Sequence, residues 1–172
     1  GCASTKVTRR ESLVGGYLPR PSQILVVDFA ATAADVPADS ALAEEFTVAD
    51  VPQTPEQIQA GRELGAELAE TLAAKIRDMG LPALRARPAS KARVNDLVIR
   101  GFLVSVEEGS AAKRVGIGFG AGASELHTVV ESYQVTANGL RKLGSGKVES
   151  GGAKTPGAAL GAATLVATAN PV

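Results

Sequence analysis

Apolar residues fall in short blocks along this chain, and their spacing changes from strand-like to helical and back. Residues 23–29, Gln-Ile-Leu-Val-Val-Asp-Phe, form a β-branched run bounded by turn-formers, the pattern of a mostly buried strand. Between Thr54 and Gly80 the period is helical. Thr54 stands where an N-cap belongs, Pro55 takes the first helical position, and Gln57 follows three residues after the cap, as in a capping box. Ile58, Gly61, Leu64, Gly65, Leu68, Leu72, Ile76 and Met79 then share one side of a 3.6-residue wheel. Glu63, Glu67, Glu70, Arg77 and Asp78 take the other side, and Gly80 and Pro82 end the element. Two glycines inside the apolar stripe predict that the helix lies close against a sheet.

The strand pattern returns afterwards. Residues 84–87 alternate as a short edge strand ended by Pro88, and residues 96–106 are long and apolar enough for a central strand. Ser110 is placed to cap a short helical turn running through Arg114. Residues 125–135 alternate as a half-buried strand should, Asn138-Gly139 is a primed-turn hairpin signal, and residues 140–149 return antiparallel. Between the second strand and this hairpin lies Arg114-Val-Gly-Ile-Gly-Phe-Gly-Ala-Gly-Ala-Ser-Glu-Leu126, with Gly116, Gly118, Gly120 and Gly122 as hinges and Phe119 as the one bulky anchor. We read it as a structural joint. The expected fold is α+β: a mainly antiparallel sheet of about four to five strands, one long amphipathic helix packed on one face, and a Gly-rich joint before a C-terminal hairpin.

Three regions follow from the pattern. Residues 1–22 read as an N-terminal tether and 23–150 as a single domain; residues 151–172 form an uncharged Gly/Ala/Thr-rich segment past Lys154 with a Gly157-x-x-x-Gly161 spacing suited to self-association. The ending at Pro171-Val172 looks like an element cut short.

Composition sharpens this. The 172 residues include 45% hydrophobic but only 3% aromatic side chains and no Trp, so the core must be built from Ala, Val, Leu and Ile. Eighteen basic residues balance eighteen acidic ones, which removes the general electrostatic case for nucleic acid or an anionic membrane. Their placement is uneven. Residues 30–53 carry Asp35, Asp39, Glu44, Glu45 and Asp50 without a basic residue, a solvated loop whose spacing fits no calcium site. Residues 85–100 carry five basic residues against Asp96, read as a solvated face, with an anionic lipid or peptidoglycan contact as the alternative.

Candidate chemistry is sparse. Cys2 follows Gly1 and precedes Ala-Ser-Thr, like the end of a bacterial lipobox. Acylation of Cys2 would anchor a soluble domain to a membrane. His127 is expected at a strand surface or rim, and with one histidine and one terminal cysteine neither a nucleophilic triad nor a zinc site has its parts. Glu107 and Glu108 would point to opposite faces of a strand. The glycine run is followed by strand pattern rather than a helix, which speaks against a dinucleotide loop. Gly144-Ser-Gly-Lys147 has Val148 where a P-loop needs Ser or Thr. No catalytic residue, metal, cofactor beyond a lipid on Cys2, nucleic acid or small-molecule ligand is therefore expected. An enzyme using a carboxylate such as Asp28 or Glu131 stands third among the readings.

Gly1-Cys2, the residue 24–29 strand, the helix ending in Gly80-Leu-Pro, Gly101-Phe-Leu-Val-Ser-Val-Glu-Glu-Gly109 and above all residues 114–126 resemble a bacterial outer-membrane lipoprotein family of unknown function, domain of unknown function 4410. The resemblance covers roughly residues 20–150, and it implies a periplasm-facing α+β domain held to the outer membrane by its acyl anchor. The function expected is a non-catalytic envelope scaffold or assembly component working through contacts with other envelope proteins, as a homo-oligomer. The alternative is a subunit of a ring-forming secretion or pore complex, similar to curli-type lipoprotein channels.

Overall fold

The structure is a computed structural model that describes residues 5–12, 19–40, 53–107, 114–118 and 125–150. In chain order the elements are β1 (Thr5–Ser12), β2 (Ile24–Val26), a single 3₁₀ turn (Ala33–Asp35), α1 (Pro55–Asp78), β3 (Ala83–Arg85), β4 (Leu97–Glu107), β5 (Arg114–Ile117), β6 (Glu125–Thr136) and β7 (Gly139–Ser150). Seven strands make one sheet in the order β1-β7-β6-β4-β2-β3, with β5 on β4 beyond the end of β2.

The sheet is mixed, which corrects the expectation of a mainly antiparallel one. β2 is parallel to both β3 and β4, whereas β4·β5, β4·β6, β6·β7 and β1·β7 are antiparallel. The cause is α1. Its 24 residues rise about 36 Å and return the chain to the end of the sheet where β2 began, so β3 starts level with it, Ala83 opposite Ile24. Parallel neighbours need such a crossover. Above β2 the flank of β4 is completed by a single bridge from Ala30 to Phe102 and then by β5, and Thr32 is bridged to Gly118 just past the end of β5.

The helix begins where the local signals place it. Thr54 accepts from the Gln57 amide at 3.2 Å while Gln57 Oε1 accepts from the Thr54 amide at 2.9 Å, closing the capping box. Its apolar stripe buries Gly61, Gly65, Leu68, Leu72 and Ile76 against Ile24, Val26, Phe29, Leu97, Ile99 and Leu103. Gly65 is where helix and sheet layers touch: its carbonyl accepts from the Phe29 amide at 3.1 Å.

The second sheet face is also covered, and β6 is buried on both sides rather than on one. Residues 30–40 fold over this face, and Ala33 and Val36 pack on a smaller core of Ala30, Phe102, Val104, Ile117 and Val129. His127, expected at a rim, is only 2% exposed. It lies on this face, opposite Val104, because a second layer covers what the alternating pattern of β6 presents as its polar side.

Two further corrections concern strands. Thr5–Ser12, read as part of the tether, pairs antiparallel with β7 from Ser150 to Gly144, and Arg114 belongs to β5 rather than to a helical turn. Residues 84–87 shrink to the last two positions of β3, whose outer edge is blocked by the Arg77 guanidinium donating to the Ala83 carbonyl at 2.9 Å. Such a donor on an edge removes a carbonyl that another strand could pair with.

Candidate functional site

The Gly-rich joint is half strand. Gly116 lies in β5 opposite Ser105, and Gly118 follows directly at φ +124°, a conformation side chains rarely adopt. Gly118 is held from three directions. Its amide donates to the Leu103 carbonyl at 2.8 Å, its carbonyl accepts from the Ser105 hydroxyl, and Gln53 lies over it while donating to the Ala31 carbonyl at 2.9 Å. Strand β4, the segment from Ala30 and the approach to α1 thus meet at this one glycine. A Cβ there would lie 2.6 Å from the Gln53 amide nitrogen. Gly118→Ala should lower stability by about 2 kcal/mol, measured by urea denaturation, and the double variant with Gln53→Ala should recover only the steric part. Wild-type stability in Gly118→Ala would count against the joint. Phe119, Gly120, Gly122 and Cys2 lie outside the described residues.

The carboxylates singled out from the sequence are not brought together. Asp28, just beyond β2, is exposed and accepts two hydrogen bonds from Arg85 at 2.6 and 2.7 Å. Glu131, on β6, is 1% exposed. One of its oxygens accepts from Ser40 at 2.8 Å and from the Tyr133 hydroxyl at 3.0 Å. Arg100 stacks over the Tyr133 ring at 5.1 Å and reaches Asp39 at 2.8 Å. Burial first, and then the charge of Glu131, push the Tyr133 hydroxyl well above the ordinary phenol range, so it stays protonated and donating at neutral pH. Together these groups clasp the end of the segment 30–40 to the sheet.

A second clasp, absent from the sequence reading, stands at the opposite end of β4. Asp96 is fully buried; one carboxylate oxygen accepts from Ser22 at 2.5 Å and the Gln23 amide at 3.3 Å, the other from Gln23 Nε2 at 2.9 Å and the Arg93 amide at 2.8 Å. Burial opposes ionisation of Asp96, but these bonds outweigh it and hold its carboxyl below its ordinary value. The sequence signal was its position: a lone acid in a basic stretch at the start of a strand.

One shallow cleft of about 230 Å³ is lined by Asp28, Phe29, Ala30, Asp35 and Arg62. Its charges close on one another. Arg62 binds both oxygens of Asp35 at 3.0 and 3.1 Å; chiefly through that bond, against partial burial and with help from Thr32, the carboxyl is held below its usual value. Among the described residues no group of three His, Cys, Asp or Glu is placed to hold a metal ion, and no helix is long and apolar enough to cross a membrane.

These features define a small α+β protein in which a mixed sheet is covered on both faces and its buried acids fasten chain segments to the sheet. The chain belongs to the family described as a domain of unknown function (DUF4410), which it matches over residues 24–169. Solved structures similar to it include a PelC dodecamer from Paraburkholderia phytofirmans, at 18% identity and TM-score 0.44, with 96% of this chain and 94% of that one covered. A variant PelC dodecamer from the same organism gives 20% identity and TM-score 0.42 at the same coverage. Among curated proteins nothing matches.

Proposed function

We propose that this chain is a non-catalytic envelope protein, lipid-anchored through Cys2 to the outer membrane and facing the periplasm, that acts as a scaffold or assembly component by binding further copies of itself and other envelope proteins. The observation that carries the reading is the use made of the buried carboxylates. Asp96 accepts four hydrogen bonds and Glu131 accepts from Ser40 and Tyr133. Bonds of this kind fasten chain segments to one another, and those of Asp96 occupy both of its oxygens; a general base or nucleophile needs an oxygen open to substrate. The cleft charges are committed in the same manner, Asp28 to Arg85 and Asp35 to Arg62. The sequence supports the anchor through Gly1-Cys2 followed by Ala-Ser-Thr.

Full-length protein extracted from membranes tests both halves of the proposal. Intact mass should show the added acyl groups on Cys2, and native mass spectrometry should show more than one copy. Closed particles of fixed stoichiometry in micrographs would favour the ring-forming secretion or pore subunit over the open scaffold. An unmodified, monomeric protein recovered from the soluble fraction would overturn both.

A further inference from the structure

The chain has no net charge, yet its charges are sorted. From Met79 to Asn95 there is no acidic residue, while Arg87, Lys91 and Arg93 stand exposed in the loop between β3 and β4. That loop is held in shape. The Arg87 amide donates to Ser90 Oγ at 2.9 Å, the Ser90 amide to the Arg87 carbonyl at 2.8 Å, and Gln23 Nε2 to the Lys91 carbonyl at 2.7 Å. Asp96 fastens its far end through the Arg93 amide. The three cationic heads form no ion pair among the described residues, so the fold fixes their backbone and leaves the charges unused.

The opposite charge sits on α1. Glu56, Glu63 and Glu67 are exposed and also form no ion pair among the described residues. At 100° per residue they fall within a sector of about 40° and span about 17 Å along the axis. Six residues from Arg87 to Arg93 reach at most about 20 Å, and the turn at Ser90 shortens that, so a short loop with three cations is matched in number by a short row of three carboxylates. A basic patch and an acidic patch at different places on one molecule give a contact that repeats head to tail, not one closed between two copies.

We propose that the loop 87–93 of one copy docks on the row Glu56, Glu63 and Glu67 of the next. The proposal rests on the self-association reading above and names the surfaces that make it. The test uses two charge-reversed full-length proteins, R87E/K91E/R93E and E63K/E67K, followed by sedimentation velocity, with circular dichroism and the urea midpoint as folding controls. Wild type should assemble at low salt and dissociate toward 0.5 M salt, where charge screening shortens to about 4 Å. Each reversed protein alone should lose self-association by about a hundredfold, and an equimolar mixture of the two should assemble again. Arg87→Ala, Lys91→Ala and Arg93→Ala combined should weaken assembly less than the reversal does. Reversed proteins that each assemble like wild type would overturn the docking surface and leave self-association standing. Assembly intact alongside lost binding to phosphatidylglycerol vesicles would reassign the loop to lipid and also overturn it. A monomeric wild type would remove both readings.

Discussion

Gly65→Ala should lose about 3 kcal/mol of stability, although alanine is the better helix former by about 1 kcal/mol. The two effects oppose each other and the contact decides. A Cβ on Gly65 would stand 2.1 Å from the Phe29 carbonyl oxygen and 3.1 Å from its carbon. Both belong to the backbone, so no rotamer change relieves the overlap; α1 must lift from the sheet. Lifting breaks the 3.1 Å bond from the Phe29 amide to the Gly65 carbonyl and loosens Leu68, Leu72 and Ile76 from the core below. Phe29 cannot yield downward either, because its ring already fills the space over Gly101 on β4, where an added Cβ would lie 2.7 Å from it. The urea midpoint followed at 222 nm measures the effect. A midpoint equal to or above that of wild type would mean that the two layers are not in contact at this glycine.

The second large effect is at Asp96. Asp96→Ala should cost about 3 kcal/mol, since four donors from Ser22, Gln23 and Arg93 lose one acceptor group. Asp96→Asn should cost only about 1 kcal/mol. An amide turned with its oxygen toward Gln23 Nε2 and the Arg93 amide keeps both of those bonds and donates to Ser22, giving up only the bond from the Gln23 amide. The pH dependence has a definite sign. The folded carboxyl of Asp96 is held below its ordinary value, so its contribution is complete above the unfolded value of about 3.9 and is lost as pH falls through that value toward the folded one. Stability of the wild type should therefore fall with acid more steeply than that of Asp96→Asn, and the two curves should converge at low pH. Parallel curves would show that Asp96 does not titrate as a clasp. Hydrogen exchange should place the loss at β2, whose start is tied to β4 through Gln23, the Gln23 carbonyl accepting from the Leu97 amide at 3.2 Å.

The contrast between these two positions shows what was legible beforehand. Gly65 could be read because the helix announces itself locally: a capping box, a stripe of period 3.6 and glycines within it are all visible in 27 consecutive residues from Thr54 to Gly80. Asp96 stands out only by its position, and its role as a clasp could not be read, since Ser22 and Gln23 stand 74 and 73 residues away. Distance in the chain explains the other differences too. The polar side of β6 reads as a solvent face, and it is Ser40, 91 residues earlier, that meets Glu131 and helps turn that face inward. Thr5–Ser12 mixes charged and small residues with no alternating stripe, so only its long-range pairing to β7 makes it a strand. The parallel arrangement of β2 and β3 was implicit in the order strand, helix, strand, but a helix length has to be converted into a return path before orientation follows.

The pairing of β1 with β7 also sets the length of the leash on which the proposed anchor holds this body. Thr5 is fixed opposite Ser150, and from Cys2 to Thr5 the chain can extend no more than about 10 Å. An acylated Cys2 would then moor one corner of the sheet beside the bilayer rather than let the domain roam on a flexible arm. The basic loop leading into Leu97 lies at the other end of β4 from the corner where Ser105 meets Leu126 and Leu126 meets Ser150. Moored copies would all keep the same corner at the membrane, which turns a search for a neighbour in three dimensions into one in two.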